Sequence, residues 1–329
     1  MARLGLGQGA IGVKKARRVY ARVMGLVLLA GGAAYAYDGP GHHLATLAAV
    51  AGLPEEMPAF FRAAAPAIAN GSMDPDVFKL EQLPQLRNAE YPEHYFDMEL
   101  LKGRTPPPLR YAFLDLCAKE GLAPSRVGTL PYAVTEWTQR LTVAFAELRR
   151  WPDNMRLRQK CIVYAGILSH YAEDATQPLH VTIDYDGRAL AGGKSPRSGV
   201  HAKVDALIQK VPGELGDPGE VAGRIRPEAF DDLWSAVLAQ LNRSHALVDR
   251  TYDLEPLLPG RQDPLPDNVK VVEFARDRLE AAAWFTASLY LTAWRDSERL
   301  GLPDWHIRER PASEAQAVAS RPASQPTAR

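Results

Sequence analysis

The segment His170-Tyr171-Ala172-Glu173-Asp174-Ala175-Thr176-Gln177-Pro178-Leu179-His180 concentrates coordinating chemistry in this chain. His170 and Asp174 stand four residues apart, so on a helix both side chains leave from one face and can share a metal ion. Imidazole with carboxylate is a donor set that suits zinc. Pro178 must end or kink the helix, which lets His180 turn toward a second ion. His201 and Asp205 repeat the four-residue spacing further on. One helical His/Asp pair is more often a surface contact than a ligand pair; two in one chain make chance a poorer account. Three isolated candidates precede them: His42 after Gly41, Asp76 in the turn Asp74-Pro75-Asp76, and His94 before Tyr95-Phe96-Asp97. Taken singly, each reads as a turn former or a hydrogen-bonded loop residue. His43 neighbours His42 and must point elsewhere on a helix, which gives it a structural or supporting role. His245 and His306 have no carboxylate at metal spacing and are left out.

The elements that must position these residues read as helices. Helical patterns are predicted over 42–51, 55–69 and 77–83, and near 111–120. Trp137, Leu141, Phe145 and Leu148 repeat at intervals of three and four, the signature of an amphipathic helix from about 132 to 151. Longer helices follow from about 154 to 173, 200 to 210, 227 to 252 and 268 to 300, and 91–98 reads as an extended loop entered through Pro92. No stretch alternates as a strand would, so the fold class is all-α.

Length and composition bound the rest. A chain of 329 residues with 46% hydrophobic content can bury one large core, and a single domain of somewhat under 300 residues is expected. The first 36 residues carry Arg3, Lys14, Lys15, Arg17, Arg18 and Arg22 but no acid. An apolar run from Val23 to Ala34 follows, then Ala34-Tyr35-Ala36. That order is a secretory signal peptide, and the run is too short for a spanning helix. Cleavage after Ala36 makes Tyr37 the mature N-terminus and places the protein in the periplasm or outside the cell. Arg17-Arg18 fits either a twin-arginine signal or an ordinary basic leader. The predicted division is therefore 1–36 signal peptide, 37–310 domain and 311–329 disordered tail, the last rich in Ala, Ser, Pro and Gln. The whole chain balances 39 basic against 39 acidic residues, so losing the leader leaves a mildly acidic protein without a broad phosphate-binding surface. Bound cations can still invert the field inside a cleft. Cys117 and Cys161 are the only cysteines, which excludes a disulfide scaffold; two separate buried thiols are expected.

The ordered motifs from Tyr37 to Asp205 resemble the zinc-dependent phospholipase C and single-strand-specific nuclease superfamily, which includes the fungal nucleases S-one and P-one. Beyond Asp205 the resemblance weakens. It implies a multi-helix all-α domain of that type and three Zn2+ ions. Asp76, His94, His170 and Asp174 would hold one ion, and His180, His201 and Asp205 a second. His42, a bridging Asp174 and the amine and carbonyl of Tyr37 would hold the third. Two positions depart from the pattern: the usual N-terminal tryptophan is Tyr37, and the glycine expected before the ligand aspartate is Glu173.

The same resemblance implies hydrolysis of phosphate esters by water that the three ions activate. Asp76 would orient that water. Lys79, where the nucleases resemble this pattern with an arginine, would stabilise charge on the phosphate; a solvated lysine is the alternative. Tyr95 and Asp97 occupy positions that stack on and hydrogen-bond a base, and Gln177-Pro178-Leu179-His180 also looks nuclease-like. The expected function is thus an exported endonuclease or nucleotidase acting on single-stranded nucleic acid, as a monomer without a stable protein partner. His201-Ala202-Lys203-Val204-Asp205 looks more like the phospholipase pattern, so a phospholipase C acting on phospholipid headgroups is the alternative. A non-catalytic, zinc-stabilised binding protein of the cell envelope is the reading from another class. A helical di-iron carboxylate protein would need Glu-x-x-His motifs, which this chain lacks.

Overall fold

Proline and the capping residues decide where each helix begins. The computed structural model describes residues 39–211 and 213–309, so the predicted leader, Tyr37 and the predicted tail lie outside the described residues. Every regular element among the described residues is helical. In chain order these are α1 (Gly39–Ala51), α2 (Ala59–Ala63), α3 (Ala65–Gly71), α4 (Asp74–Phe78), α5 (Pro84–Glu90), α6 (Arg110–Lys119), α7 (Pro124–Val127) and α8 (Leu130–Arg150). They continue as α9 (Met155–Asp174), α10 (Val200–Asp205), α11 (Pro218–Arg224), α12 (Leu233–His245), α13 (Val248–Leu254), α14 (Val269–Asp296) and α15 (Asp304–Glu309). The all-α expectation is met, and no described helix is long and apolar enough to cross a membrane.

Several predicted boundaries move, each for a local reason. The expected helix over 55–69 is two pieces, because Pro66 sits in the first turn of α3 and starts a new helix. The expected helix over 77–83 is replaced by α4 and α5, which carry Pro75 and Pro84 in their first turns. The stretch 200–210 holds only α10 and a later 3-10 turn, Ile208–Lys210. The stretch 227–252 begins its helix only at Leu233, capped by the Asp232 side chain, and breaks before Val248. Residues 91–98 begin with a 3-10 turn, Tyr91–His94, before an extended Tyr95.

Three long helices form the frame. Asn154 caps α9, its side chain accepting from the backbone N–H groups of Arg156 and Leu157, and separates α9 from α8 by a tight connection. The two pack as a hairpin, and α14, capped in the same way by Asn268, lies against α1, α8 and α9. Phe61, Phe145 and Tyr290 meet edge-to-face at 5.3 Å where these helices converge. On the other side α9 runs close to α3. A Cβ on Gly166 would lie 2.9 Å from the Gly71 Cα, so only glycine permits that approach. Cys117 and Cys161 are both buried and unbridged, as expected.

The C-terminal elements prop α9 from behind through its main-chain oxygens. The Tyr290 hydroxyl donates to Ala165 O at 2.8 Å, the Ser244 hydroxyl to Ala175 O at 2.7 Å, and Arg278 to Thr176 O at 3.2 Å. The consequence is a continuous buried run from 165 to 182, which includes His170, Glu173, Asp174, Gln177 and His180.

Candidate metal centre

Polar groups buried on every side must find partners or a cation, because desolvating them otherwise costs several kcal/mol. The last turn of α9 projects His170 and Asp174 inward, and the 3-10 turn Pro178–His180 adds His180. The first turns of α1 contribute His42, α4 contributes Asp76, the turn Tyr91–His94 contributes His94, and α10 contributes His201 and Asp205. These side chains fall into three buried groups: Asp76, His94 and His170; His180, His201 and Asp205; and His42, His170 and Asp174. All eight described ligand candidates therefore converge. Tyr37, the ninth, lies outside the described residues. Asp74, half-buried, joins none of the groups, nor does His43.

The spacing within the first group discriminates between a hydrogen-bonded cluster and a coordination cage. His170 Nε2 lies 2.9 Å from His94 Nδ1. Asp174 Oδ2 lies 3.1 Å from His94 Nδ1 and 3.4 Å from His170 Nε2. Asp76 Oδ1 lies 3.9 Å from His94 Nδ1 and 3.8 Å from His170 Nε2. Four donors around a tetrahedral zinc at about 2.0–2.1 Å stand about 3.3 Å from one another, and these separations scatter around that value. In the second group His201 Nε2 is 3.2 Å and His180 Nε2 3.7 Å from the two oxygens of Asp205. Asp174 serves two groups at once, since its other oxygen, Oδ1, faces His42 Nε2 at 3.6 Å. The His42 and His170 rings stack at 4.0 Å between them.

Orientation supports the same reading. A metal-binding imidazole normally anchors one nitrogen and presents the other. His170 Nδ1 is anchored on Ser72 O at 2.7 Å, His180 Nδ1 on His94 O at 2.7 Å, and His201 Nδ1 on Tyr185 O at 3.0 Å. Buried atoms left without a well-formed hydrogen bond include Asp76 Oδ1, Asp174 Oδ1, His180 Nε2 and Asp205 Oδ2, all aimed into the groups. Asp76 Oδ1 lies 2.5 Å from the Lys79 ammonium, close but poorly angled. The residues present thus fit divalent ions: orphaned buried donors, imidazoles with one nitrogen fixed, and carboxylates between them.

Charge points the same way. Burial, then the neighbouring cations, holds His42, His94 and His170 well below the ordinary imidazole value, so they stay neutral as ligands must. Burial drives the Asp174 carboxyl well above its usual range. His180 is the exception: burial lowers it, but Asp174 and Asp205 outweigh burial and raise it to about 9. A divalent cation between the same anions would displace that proton.

Of the residues expected to meet substrate, Lys79 adjoins the donor groups and Tyr95 and Asp97 join none of them. Lys79 is buried beside Asp76 rather than solvated. Tyr95 is extended and its hydroxyl donates to Ser125 O, while the Asp97 N–H donates to Val127 O at 2.7 Å. The Phe96 N–H donates to His180 O at 2.8 Å and fastens this segment to the ligand turn. Gly128, at φ +89°, packs so tightly that a Cβ would meet Tyr95 O at 2.0 Å. Asp97 is pushed up to about 7, by burial first and then by the Glu99 charge, with Arg126 opposing.

Sequence reasoning missed three supporting residues. Glu173 Oε2 lies 2.6 Å from His42 Nδ1 and its Oε1 accepts from Thr46; Gln177 donates to Asp205 Oδ1 at 2.5 Å; and Glu90 lies 3.7 Å from His94 Nε2 while accepting from the Tyr171 hydroxyl. Glu90 and His94 do carry a signal, the four-residue spacing. No protein-family model matches this chain, and no curated protein matches it either.

Proposed function

We propose that the chain is an exported zinc-dependent phosphodiesterase of the phospholipase C and P-one nuclease type, acting on single-stranded nucleic acid or nucleotides. The observation that carries this reading is the cage itself: three buried His/Asp groups, two of them joined through the two oxygens of Asp174, with a buried lysine at their edge. When bound, zinc ions there would supply Lewis acidity and lower the pKa of water. Asp76 is placed to orient a water, since Oδ1 faces both His94 and His170. Lys79 brings a positive charge to the same edge, where a phosphoryl group would gain negative charge. Tyr95 and Asp97, close in sequence to His94, would offer a ring and a carboxyl to a base. Tyr37 as mature N-terminus would complete the third ion's donors.

The test is turnover of the zinc-loaded protein beginning at Tyr37. Hydrolysis of bis-p-nitrophenyl phosphate and of single-stranded DNA, both lost on Asp174→Ala, is expected. Zinc binding with no hydrolysis of any phosphate ester would favour an envelope binding protein instead. One observation favours the phospholipase: Val77, Leu80, Leu83 and Leu86 are exposed at three-residue intervals between Asp76 and His94. Preferential cleavage of phosphatidylcholine vesicles, weakened by replacing Leu83 and Leu86 with serine, would put that reading first.

A further inference from the structure

His42 differs from His170, His180 and His201 in what holds it. These three lean on main-chain carbonyls, those of Ser72, His94 and Tyr185. His42 Nδ1 instead lies 2.6 Å from Glu173 Oε2, and Glu173 Oε1 accepts from the Thr46 hydroxyl at 2.7 Å. His42, Thr46 and Glu173 are all fully buried. Thr46 lies one helical turn after His42 on α1, and Glu173 precedes Asp174 on α9, so the contact ties the two helices together at the ligand level.

Where Glu173 is ionised it has no proton to donate, and the ring then places its N–H on Nδ1 and presents Nε2 as a lone pair. That Nε2 faces Asp174 Oδ1 at 3.6 Å. Thr46 fixes the second oxygen of Glu173 and thereby the plane of its carboxylate. We propose that Glu173, set by Thr46, is a positioning residue that locks the tautomer of His42 and strengthens the hold on the ion shared by His42 and Asp174. This rests on the metal reading of the centre. A carboxylate behind an imidazole makes it a more basic ligand than a carbonyl does, and removing such a partner typically weakens metal binding 10- to 100-fold. The dependence should therefore be local: the ion at His180, His201 and Asp205 has its own supports.

The experiment compares wild type, Glu173→Gln, Glu173→Ala, Thr46→Val and His42→Ala in buffered zinc. Metal content, zinc affinity by chelator competition, and the protonation of the His42 ring by nitrogen-15 NMR are measured on each. Glu173→Ala should lose one zinc at concentrations that saturate the wild type, with an affinity for that ion about 10- to 100-fold weaker. Glu173→Gln can still accept from Nδ1 and should fall between the two, a rescue that a merely space-filling role would not give. Thr46→Val, a milder change, guards against a variant that fails to fold. The wild-type ring should carry its proton on Nδ1. Unchanged zinc content and affinity in both Glu173 variants, or a proton on Nε2, would overturn the proposal while leaving the centre intact. A wild type that takes up no zinc would instead remove the underlying reading, and with it this one.

Discussion

At the scale of single residues, the double duty of Asp174 has the widest reach. Its two oxygens face different groups, so Asp174→Ala should lower zinc content by two ions, whereas His201→Ala should lower it by one; elemental analysis of purified variants separates the two outcomes. Lys79 touches Asp76 without belonging to any donor group. Lys79→Ala should therefore keep its zinc and lose about 100-fold in turnover, and loss of metal in that variant would assign the lysine to folding of the cage. Asp97 gives a pH signature. Its folded pKa is raised from 3.8 to about 7, so the native state holds a proton that the unfolded chain releases earlier as pH rises. The stabilisation is complete below about 4 and is lost as pH climbs to 7, so wild type should weaken relative to Asp97→Asn across that window in denaturant titrations. A constant difference between the two would show that Asp97 titrates normally. The candidate ligands His170, Asp174, His201 and Asp205 were legible in the sequence because four-residue His/Asp spacing is a local signal, whereas His42, Asp76 and His94 stood out only through the family resemblance. Glu173 was legible only as an oddity, since its role depends on His42 and Thr46, more than a hundred positions away.

At the scale of elements, the long helices were readable and the short ones were not. The three-and-four repeat of Trp137, Leu141, Phe145 and Leu148 marks α8, and α14 shows itself by length. By contrast α5, α7 and α11 are one or two turns each, begin at a proline and bury little, so no apolar period announces them. The approach of α9 to α3 was equally silent, because a glycine inside a helix looks like a weakness until its neighbour is known. Gly166→Ala should cost about 1–3 kcal/mol by overpacking against Gly71, measured by urea unfolding of the metal-free protein. Since Ser72, next to Gly71, anchors His170, zinc affinity should fall in the same variant. An alanine that leaves both unchanged would mean that the two helices separate freely.

At the scale of the whole molecule, the centre joins residues from 42 to 205, so occupancy should act as a cross-link on folding. Each ion present at a hundredfold its Kd adds about 2.7 kcal/mol; stripping zinc with a chelator should lower Tm by many degrees, and returning zinc should restore it. A melting curve indifferent to chelator would mean that the cage holds nothing. The all-α architecture was legible throughout, yet the division of labour within it was not. Every described donor lies in the earlier part of the chain, while Ser244, Arg278 and Tyr290 meet main-chain oxygens of α9 and of the turn after it. A strut of that kind asks for a proton donor of suitable reach, though Tyr290 also packs its ring against Phe61. Change over generations should therefore fall more lightly on the donors up to Asp205 than on these supports, a contrast that an alignment of relatives would show or refute.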